Sequence, residues 1–264
     1  MSYIKNMLAA GLLMVSFIAE GQQYAQSGQI QLSTPGISAE KTFFEQQTAV
    51  TIELDVPDVV IRYTLDDTAP TQNSIRYAGP ILLQESATVR ARAFHADFKP
   101  SDVVALQVYR LADIGQPTIT FAPQPSEPYA GEGAVSLTNR QKGSFNFRDG
   151  QWLGFSADTL SIQLQYDQSV AGHQLLLSVL EDSNSWIFAP LSVIAKVGDK
   201  VVGKWELESV SSPQKQFRYI VLNLPAENLR EVDLEVKMGA IPDWHPGSGN
   251  TPWLFIDEIL LIGN

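Results

Sequence analysis

The sequence predicts an all-β protein. Apolar and polar residues alternate with period two in several separate segments, which is typical of half-buried strands. Clusters of Gly, Pro and Asp separate these segments at short intervals, as turns do in a β-sandwich. No stretch keeps the helical spacing of apolar residues over about ten positions. The chain has no cysteine, so we expect packing to stabilise the fold without disulfides or thiolate metal sites.

The N-terminus carries the pattern of a secretory signal. Lys5 precedes an apolar run from Met7 to Ala19, and polar residues follow from Glu20 onward. The run is shorter than the ~20 residues that a membrane-spanning helix needs, so a membrane anchor is the less favoured alternative. We therefore expect residues 1–25 to be a signal peptide. The mature protein is expected to be periplasmic, cell-surface or extracellular, with no transmembrane segment after signal removal.

Charge composition excludes two classes of partner. The chain has 29 acidic and 18 basic residues, a net charge of -11, and neither sign forms a long run. Nucleic acids and anionic membrane surfaces are bound by clustered Lys and Arg. We therefore expect neither of them as a partner.

The strand pattern divides the chain into two segments. The first segment contains the alternating sets Val59-Ile61-Tyr63-Leu65 and Val89-Ala91-Ala93. A stretch rich in Pro and Gly follows from Gly115 to Gly133, in which Thr118–Phe121 fits a short strand. The second segment repeats the alternation, and its run from Trp253 to Ile262 is apolar enough for a central strand buried on both faces. We predict two β domains, residues 26–113 and 114–264.

The first segment resembles a known module. Residues 61–71 read Ile-Arg-Tyr-Thr-Leu-Asp-Asp-Thr-Ala-Pro-Thr, and Tyr77, Gly79-Pro80-Ile81 and the alternating residues 88–94 follow. Over roughly residues 33–110 this resembles the chitobiase/β-hexosaminidase C-terminal module, which implies a fibronectin type III/immunoglobulin-like sandwich. Asp67 stands where that family usually has Gly. Asp tolerates a positive φ better than most residues, so we expect the turn to be kept.

The second segment also contains stretches that match a known domain, namely residues 143–144, 147–155, 185–190, 218–220, 244–249 and 253–259. Through them it resembles a discoidin-like (coagulation factor type C) domain, which implies a galactose-binding-like jelly-roll β-sandwich. This order of modules is that of the C-terminal part of Bacteroidetes-type β-N-acetylhexosaminidases, where a catalytic barrel precedes them. We expect no such barrel in this chain. One departure is Thr138-Asn139, where the family commonly has Asp-Gly, so any turn or ion site that depends on that Asp is not expected here.

No residue pattern indicates catalysis. Asp257-Glu258 matches the acidic pair of substrate-assisted hexosaminidases, but it lies in a predicted strand, where neighbouring side chains point to opposite faces. On that basis the two carboxylates do not converge on one substrate. His95, His173 and His245 are too far apart for a metal motif. We predict that the protein is not an enzyme and that it needs no cofactor.

Aromatic residues in and near predicted loops are the candidates for binding. Trp244 and His245 begin a loop rich in Pro and Gly, where a flat indole beside polar groups suits a sugar ring. Trp152 is a further candidate ligand-binding residue. The alternatives are that Trp244 fills the end of the core and that His245 bonds to backbone. For Trp152, as for Trp186 and Trp253, the strand-like surroundings favour packing in the core. Asp149 is either a turn residue or one ligand of a structural calcium ion.

The prediction is therefore an exported, non-catalytic accessory protein that binds carbohydrate through the discoidin-like domain. The expected partner is a glycan or polysaccharide, and the resemblance suggests one that contains N-acetylhexosamine. Two alternatives stay open at this point. In one, both modules are structural and bind an envelope protein. In the other, the chain is a split-off tail that docks on a separate hexosaminidase catalytic chain.

Overall fold

The structure is a computed structural model that describes residues 28–208, 215–227 and 229–263. The signal peptide predicted at residues 1–25 lies outside the described residues. Within the described ranges the regular structure consists of β-strands and three short 3-10 helices, so the all-β prediction is confirmed. Over the same ranges, no helix has the length and apolar character required to cross a membrane.

The strands of the first part of the chain form a sandwich of two sheets. Their orders are β1-β3-β6 and β2-β8-β7-β4-β5, and the β2–β8 pair is parallel. The alternating residues found in the sequence, except Leu65, point inward to one shared core that includes Val50, Val89 and Ala91, each fully buried. Leu65 is 41% exposed. The strands are β1 (Gly36–Ala39), β2 (Phe43–Phe44), β3 (Thr48–Glu53), β4 (Val60–Thr64), β5 (Ile75–Arg76), β6 (Ile81–Leu83), β7 (Ala87–Phe94) and β8 (Val104–Arg110).

The turn after β4 keeps its conformation with Asp in place of Gly. Asp67 has a φ of 63°, in the left-handed region that Asp tolerates better than most residues. Its Oδ1 pairs with the Arg90 guanidinium at 2.7 Å. The Oδ1 of Asp66 accepts hydrogen bonds from the backbone N–H of Thr68 at 3.2 Å and from its hydroxyl at 2.7 Å. These side-chain contacts hold the turn that the sequence predicts.

The second part of the chain forms a larger antiparallel sandwich. Its sheets have the orders β10-β17-β12-β15 and β14-β13-β16-β11-β9. Thr118–Ala122 is a strand, as its sequence suggested, and pairs with β11. The strands are β9 (Thr118–Ala122), β10 (Leu153–Phe155), β11 (Thr159–Gln165), β12 (Gln174–Glu181), β13 (Ser192–Val197), β14 (Lys200–Glu206), β15 (Gln216–Asn223), β16 (Glu231–Lys237) and β17 (Leu254–Ile262).

Strand β17 is the interior strand predicted from the apolar run near the C-terminus. It lies between β10 and β12, and all nine of its residues are buried. Both of its faces are covered, as a continuous apolar run requires. The loop that contains Trp244 and His245 leads into β17. The buried strand therefore anchors the C-terminal end of that loop to the sandwich.

The two sandwiches meet through apolar side chains. Leu111 forms an isolated bridge with Ile262, and the ring of Tyr109 lies 5.1 Å from that of Tyr219, centroid to centroid, edge to face. Phe43 and Leu260 belong to the same buried cluster. The strands before and after Leu111 pair in separate sheets. The division into residues 26–113 and 114–264 stays a prediction.

Candidate functional site

A groove lined by aromatic rings opens at one end of the second sandwich. Its volume is about 330 Å³. We call it the aromatic groove. Four separate parts of the chain line it, namely the 3-10 turn before β10, the loop of residues 143–150, the loop after β12 and the start of β17. Its lining residues are Tyr129, Phe147, Arg148, Asn184, Ser185, Trp186, Trp253 and Phe255.

Trp186 is the most exposed ring of the groove, with 40% of its surface accessible. Its φ of 62° is left-handed, a conformation that costs a bulky residue on the order of 1–3 kcal/mol. Backbone hydrogen bonds hold it there: its N–H donates to the Ser183 carbonyl at 3.0 Å, and its carbonyl accepts from the Trp253 N–H at 2.8 Å. The backbone therefore presents the indole to solvent in a fixed place.

The rings behind Trp186 form a packed aromatic wall. The Tyr129 ring lies edge to face against Trp253 at 5.3 Å and against Phe255 at 5.0 Å. Phe147 contacts Tyr129 at 5.8 Å and Phe255 at 5.2 Å. Edge-to-face pairs add about 0.5–1.5 kcal/mol each beyond burial, so this wall is ordered before any ligand arrives.

His245 supports the groove from behind. Its Nε2 lies 3.0 Å from the Ser183 carbonyl oxygen, and its Nδ1 accepts the Gly247 N–H at 3.0 Å. Both ring nitrogens are therefore engaged with backbone. The imidazole also meets the Trp186 ring edge to face at 6.2 Å. His245 thus couples the loop of residues 243–249 to Trp186, and its ring nitrogens are not free for a ligand.

Trp244 lies next to the groove but not in its lining. Its indole is 46% exposed and packs edge to face against His245 at 5.5 Å and, tilted, near Phe188 at 6.3 Å. Trp244 and Trp186 are therefore two exposed indoles that both pack against the His245 imidazole. The surroundings of Trp244 are compatible with a second stacking surface.

Gly247 is expected to control the position of the Trp186 ring. A Cβ at Gly247 would lie 2.9 Å from Cζ2 and 3.0 Å from Cε2 of that ring, too close without displacement. We expect Gly247→Ala to shift the Trp186 indole N–H resonance in a ¹H–¹⁵N spectrum and to lower stability by about 1–3 kcal/mol. Gly115→Ala is the control, because no atom lies within 4 Å of its Cβ position. An unchanged Trp186 resonance in Gly247→Ala would contradict this placement.

Trp152 is located in the core and not in the groove. It is 1% exposed, and its indole N–H donates to the Ser144 carbonyl at 3.0 Å. The ammonium of Lys142 lies 4.4 Å from the Trp152 ring and 3.6 Å from the Phe217 ring. This is the core-packing alternative for Trp152, and a ligand at the surface does not reach its ring.

Asp149 acts as a turn residue. Its Oδ2 accepts hydrogen bonds from the Ser144 N–H at 2.6 Å and from the Ser144 hydroxyl at 2.7 Å, and its Oδ1 accepts from the Gln151 N–H at 3.0 Å. Both oxygens are thus used within the loop. In the described part of the chain no group of three or more His, Asp or Glu side chains is placed to hold a metal ion.

A β-bulge changes the expected geometry of Asp257 and Glu258. Glu258 pairs with Ser178 and Ile256 pairs with Val179, so Asp257 is an extra residue in β17. The strict alternation assumed from the sequence is lost. The Oδ2 of Asp257 accepts from the Gly143 N–H at 2.8 Å and from the Lys142 ammonium at 2.7 Å. Both carboxyl oxygens of Glu258 are buried near the backbone of residues 140 and 141 and have no hydrogen-bond partner among the described residues. Both carboxyls therefore face residues 140–143.

Burial governs the charge of this pair. Both side chains are fully buried. Loss of solvent raises the pKa of Asp257, and Lys142 opposes that rise. Loss of solvent, followed by repulsion from Asp257, raises the pKa of Glu258 to about 9. Burial lowers the pKa of Lys142. Because Asp257 and Glu258 are closed off from solvent, a substrate does not reach them in this structure.

The groove could be found only in part from the sequence. The loop of residues 244–249 was singled out, and it does support the groove. The core packing predicted for Trp186 and Trp253 does not hold for Trp186, which is exposed, and the sequence pattern does not point to Tyr129, Arg148 or Asn184. The available signal was that aromatic residues recur in the loops rich in Gly, Pro, Asn and Ser around positions 129, 147 and 186.

Comparison with known proteins gives a family match over part of the chain. The family described as "Fn3 associated" matches residues 50–108. The match agrees with a fibronectin type III-like sandwich in the first part of the chain. The narrower chitobiase module and the discoidin-like domain stay predictions. No curated protein sequence matches the chain.

The solved structures that match the chain are distant from it. The lectin binding domain of lectinolysin, complexed with Lewis b, is 9% identical with a TM-score of 0.38 and covers 59% of this chain and 99% of its own. A fucolectin from Morone saxatilis (striped bass) serum is 10% identical with a TM-score of 0.36, covering 86% and 85%. A two-domain protein of unknown function from Bacteroides fragilis is 10% identical with a TM-score of 0.35, covering 90% and 93%. The ligands named here belong to those proteins, and a function for this chain has to come from its own side chains.

Proposed function

We propose that the protein binds carbohydrate in the aromatic groove, as an exported, non-catalytic accessory protein. One observation carries the proposal: an exposed indole, Trp186, is held in a strained backbone conformation at the mouth of a groove walled by aromatic rings. Strained residues persist where the surrounding structure holds them, and they are frequent at binding sites. A rigid, exposed ring is the surface on which the C–H face of a sugar stacks.

The polar side chains of the groove complement the rings. Arg148 and Asn184 line it, and both are exposed. The Ser185 hydroxyl donates to the Asp182 carboxylate at 3.0 Å, which leaves its lone pairs as acceptors. A sugar ring offers an apolar face for stacking and hydroxyls that exchange hydrogen bonds at its edge. Aromatic walls with a few polar groups are the usual composition of small-ligand sites.

The site residues predicted from the sequence have different roles in this proposal. Trp186 and Trp253 replace Trp152 as the indoles that contact the ligand. His245 positions Trp186, and Trp244 adds a peripheral stacking surface. The absence of catalysis is supported by the burial of Asp257 and Glu258 beneath residues 140–143. Export and the division into two domains are also proposed. Both rest on the sequence patterns described above.

Substitution of Trp186 tests the proposal. The mature protein is screened on a glycan array, and its binders are then titrated by calorimetry. Trp186→Ala is expected to weaken binding at least about tenfold, because central aromatic residues contribute most of the free energy in such sites. Trp244→Ala is expected to have a smaller effect. The unfolding temperature of each variant verifies that it is folded.

Phe145→Ala is the matched control. Phe145 belongs to the same loop as Phe147 and is 46% exposed, but it stacks on Phe217 at 4.2 Å, outside the groove. Its removal should leave glycan affinity unchanged. The proposal is wrong if no glycan binds, or if a folded Trp186→Ala variant binds as tightly as the native protein.

A further inference from the structure

The charge of the aromatic groove differs from that of the whole chain. Acidic residues outnumber basic ones by 29 to 18 in the sequence. Among the described residues that line the groove, however, Arg148 is the one charged side chain, and neither Asp nor Glu lines it. The lining of the groove therefore carries one positive side chain and no negative one, on a protein that is acidic as a whole.

Two acidic residues that are close in sequence to the groove lining make contacts with other groups. Both carboxylate oxygens of Asp149 accept hydrogen bonds within its own loop, from Ser144 and Gln151. Asp182, which is buried, accepts from the Ser185 hydroxyl at 3.0 Å and pairs with the Lys215 ammonium at 2.9 Å. Neither carboxylate forms an ion pair with Arg148, so neither occupies the guanidinium N–H groups.

The Arg148 side chain is presented to a ligand. Its guanidinium carbon lies 5.1 Å from the Phe147 ring centroid, and it forms no ion pair with any residue that the structure describes. A guanidinium that rests on a ring keeps its N–H groups free along its edge. The turn below it is fixed, since Asn146 Oδ1 accepts the Arg148 N–H at 3.2 Å and the Asn146 carbonyl accepts the Asp149 N–H at 3.0 Å.

We propose that the aromatic groove selects saccharides that carry an anionic group, a carboxylate or a sulfate ester, beside the sugar that stacks on Trp186. This inference rests on the proposed carbohydrate binding. The planar fork of Arg148 donates two parallel hydrogen bonds to an anion of this kind, and such bonds are stronger than those between neutral groups. The aromatic wall supplies the stacking surface, and Arg148 supplies the selection for charge.

The test uses matched ligands that differ only in charge. An array of oligosaccharides of several backbones is prepared with each uronic acid paired to its methyl ester, and each sulfated sugar paired to its unsulfated form. The native protein is expected to bind at least one anionic member about fivefold to tenfold more tightly than its neutral partner in dilute buffer. The preference should shrink in 1 M salt, where the Debye length is about 3 Å.

Two variants assign the preference to Arg148. Arg148→Gln is expected to bind the neutral member as the native protein does and to lose the preference for the anionic one. Arg230→Gln removes the same charge from an exposed residue outside the groove lining and should keep the preference. The carboxylate and sulfate pairs show which of the two anions is selected.

The outcomes separate this inference from the proposed function. Equal affinity for the charged and neutral members, or a preference that survives in Arg148→Gln, overturns the selection for anions and leaves carbohydrate binding in place. Binding of no glycan at all overturns the proposed function and the inference with it. Loss of neutral binding in Trp186→Ala together with loss of charge preference in Arg148→Gln supports both.

Discussion

Replacing Lys142 by methionine is expected to lower the free energy of unfolding at pH 7 by about 3–5 kcal/mol, the range measured when one partner of a buried ion pair is removed. The Lys142 ammonium lies 2.7 Å from Asp257 Oδ2, and the Asp257 side chain is fully buried. Methionine keeps most of the apolar contact with Trp152 and Phe217 but leaves the carboxylate without its cation. Urea unfolding followed by circular dichroism measures the loss.

Two controls separate the buried pair from a general effect of charge. Lys204→Met removes the partner of Glu206 in an exposed ion pair and should cost less than about 1 kcal/mol. Adding Asp257→Asn to Lys142→Met should recover most of the loss, because Asn still accepts the Gly143 N–H and lies beside the Ser178 hydroxyl. A loss below about 1 kcal/mol in Lys142→Met would show that the pair is not buried as described.

Glu258 is expected to make the native protein less stable as pH rises from about 5 to 9. Burial raises the pKa of its carboxyl from 4.5 to about 9. Below pH 4.5 both the folded and the unfolded states are protonated, and the group has no effect. Between these two pKa values only the unfolded state loses the proton, so the free energy of unfolding falls by up to about 1.4 kcal/mol per pH unit. Above pH 9 the loss is complete.

Glu258→Gln tests this assignment. Glutamine has the shape of the protonated carboxyl, fits in the same place beside the backbone of residues 140 and 141, and does not ionise. The variant is therefore expected to be more stable than the native protein at pH 8 and equal to it near pH 4. Urea unfolding of both proteins across this range gives the two curves. Parallel curves between pH 5 and 9 would assign the pH dependence to other groups.

Local pattern was enough to predict the fold. Alternation identified β11 through Leu160, Ile162 and Leu164, whose side chains are buried while their neighbours are exposed. The apolar run into Ile262 identified an interior strand, because a strand that is covered on both faces of the sheet has no solvent-exposed positions for polar residues. Both patterns depend only on residues that are close together in the sequence, so the sequence alone is enough to recognise them.

The candidate site depended on contacts between distant residues. Tyr129, Trp186 and Trp253 come from three loops, and only the paired sheets bring them together. The positive φ of Trp186 has no signal in its residue type, since bulky residues avoid that conformation. The bulge at Asp257 likewise escapes a rule of strict alternation. In both places tertiary hydrogen bonds decide the local geometry.

The most direct measurement is a crystal structure of the mature protein with a saccharide from the array. We expect one sugar ring to stack on the Trp186 indole inside the aromatic groove, with its hydroxyls in contact with Asn184 or Arg148. Neither Trp152 nor Asp257 should touch the ligand, because both are enclosed in the core. A saccharide bound elsewhere, with the groove empty, would contradict the central claim.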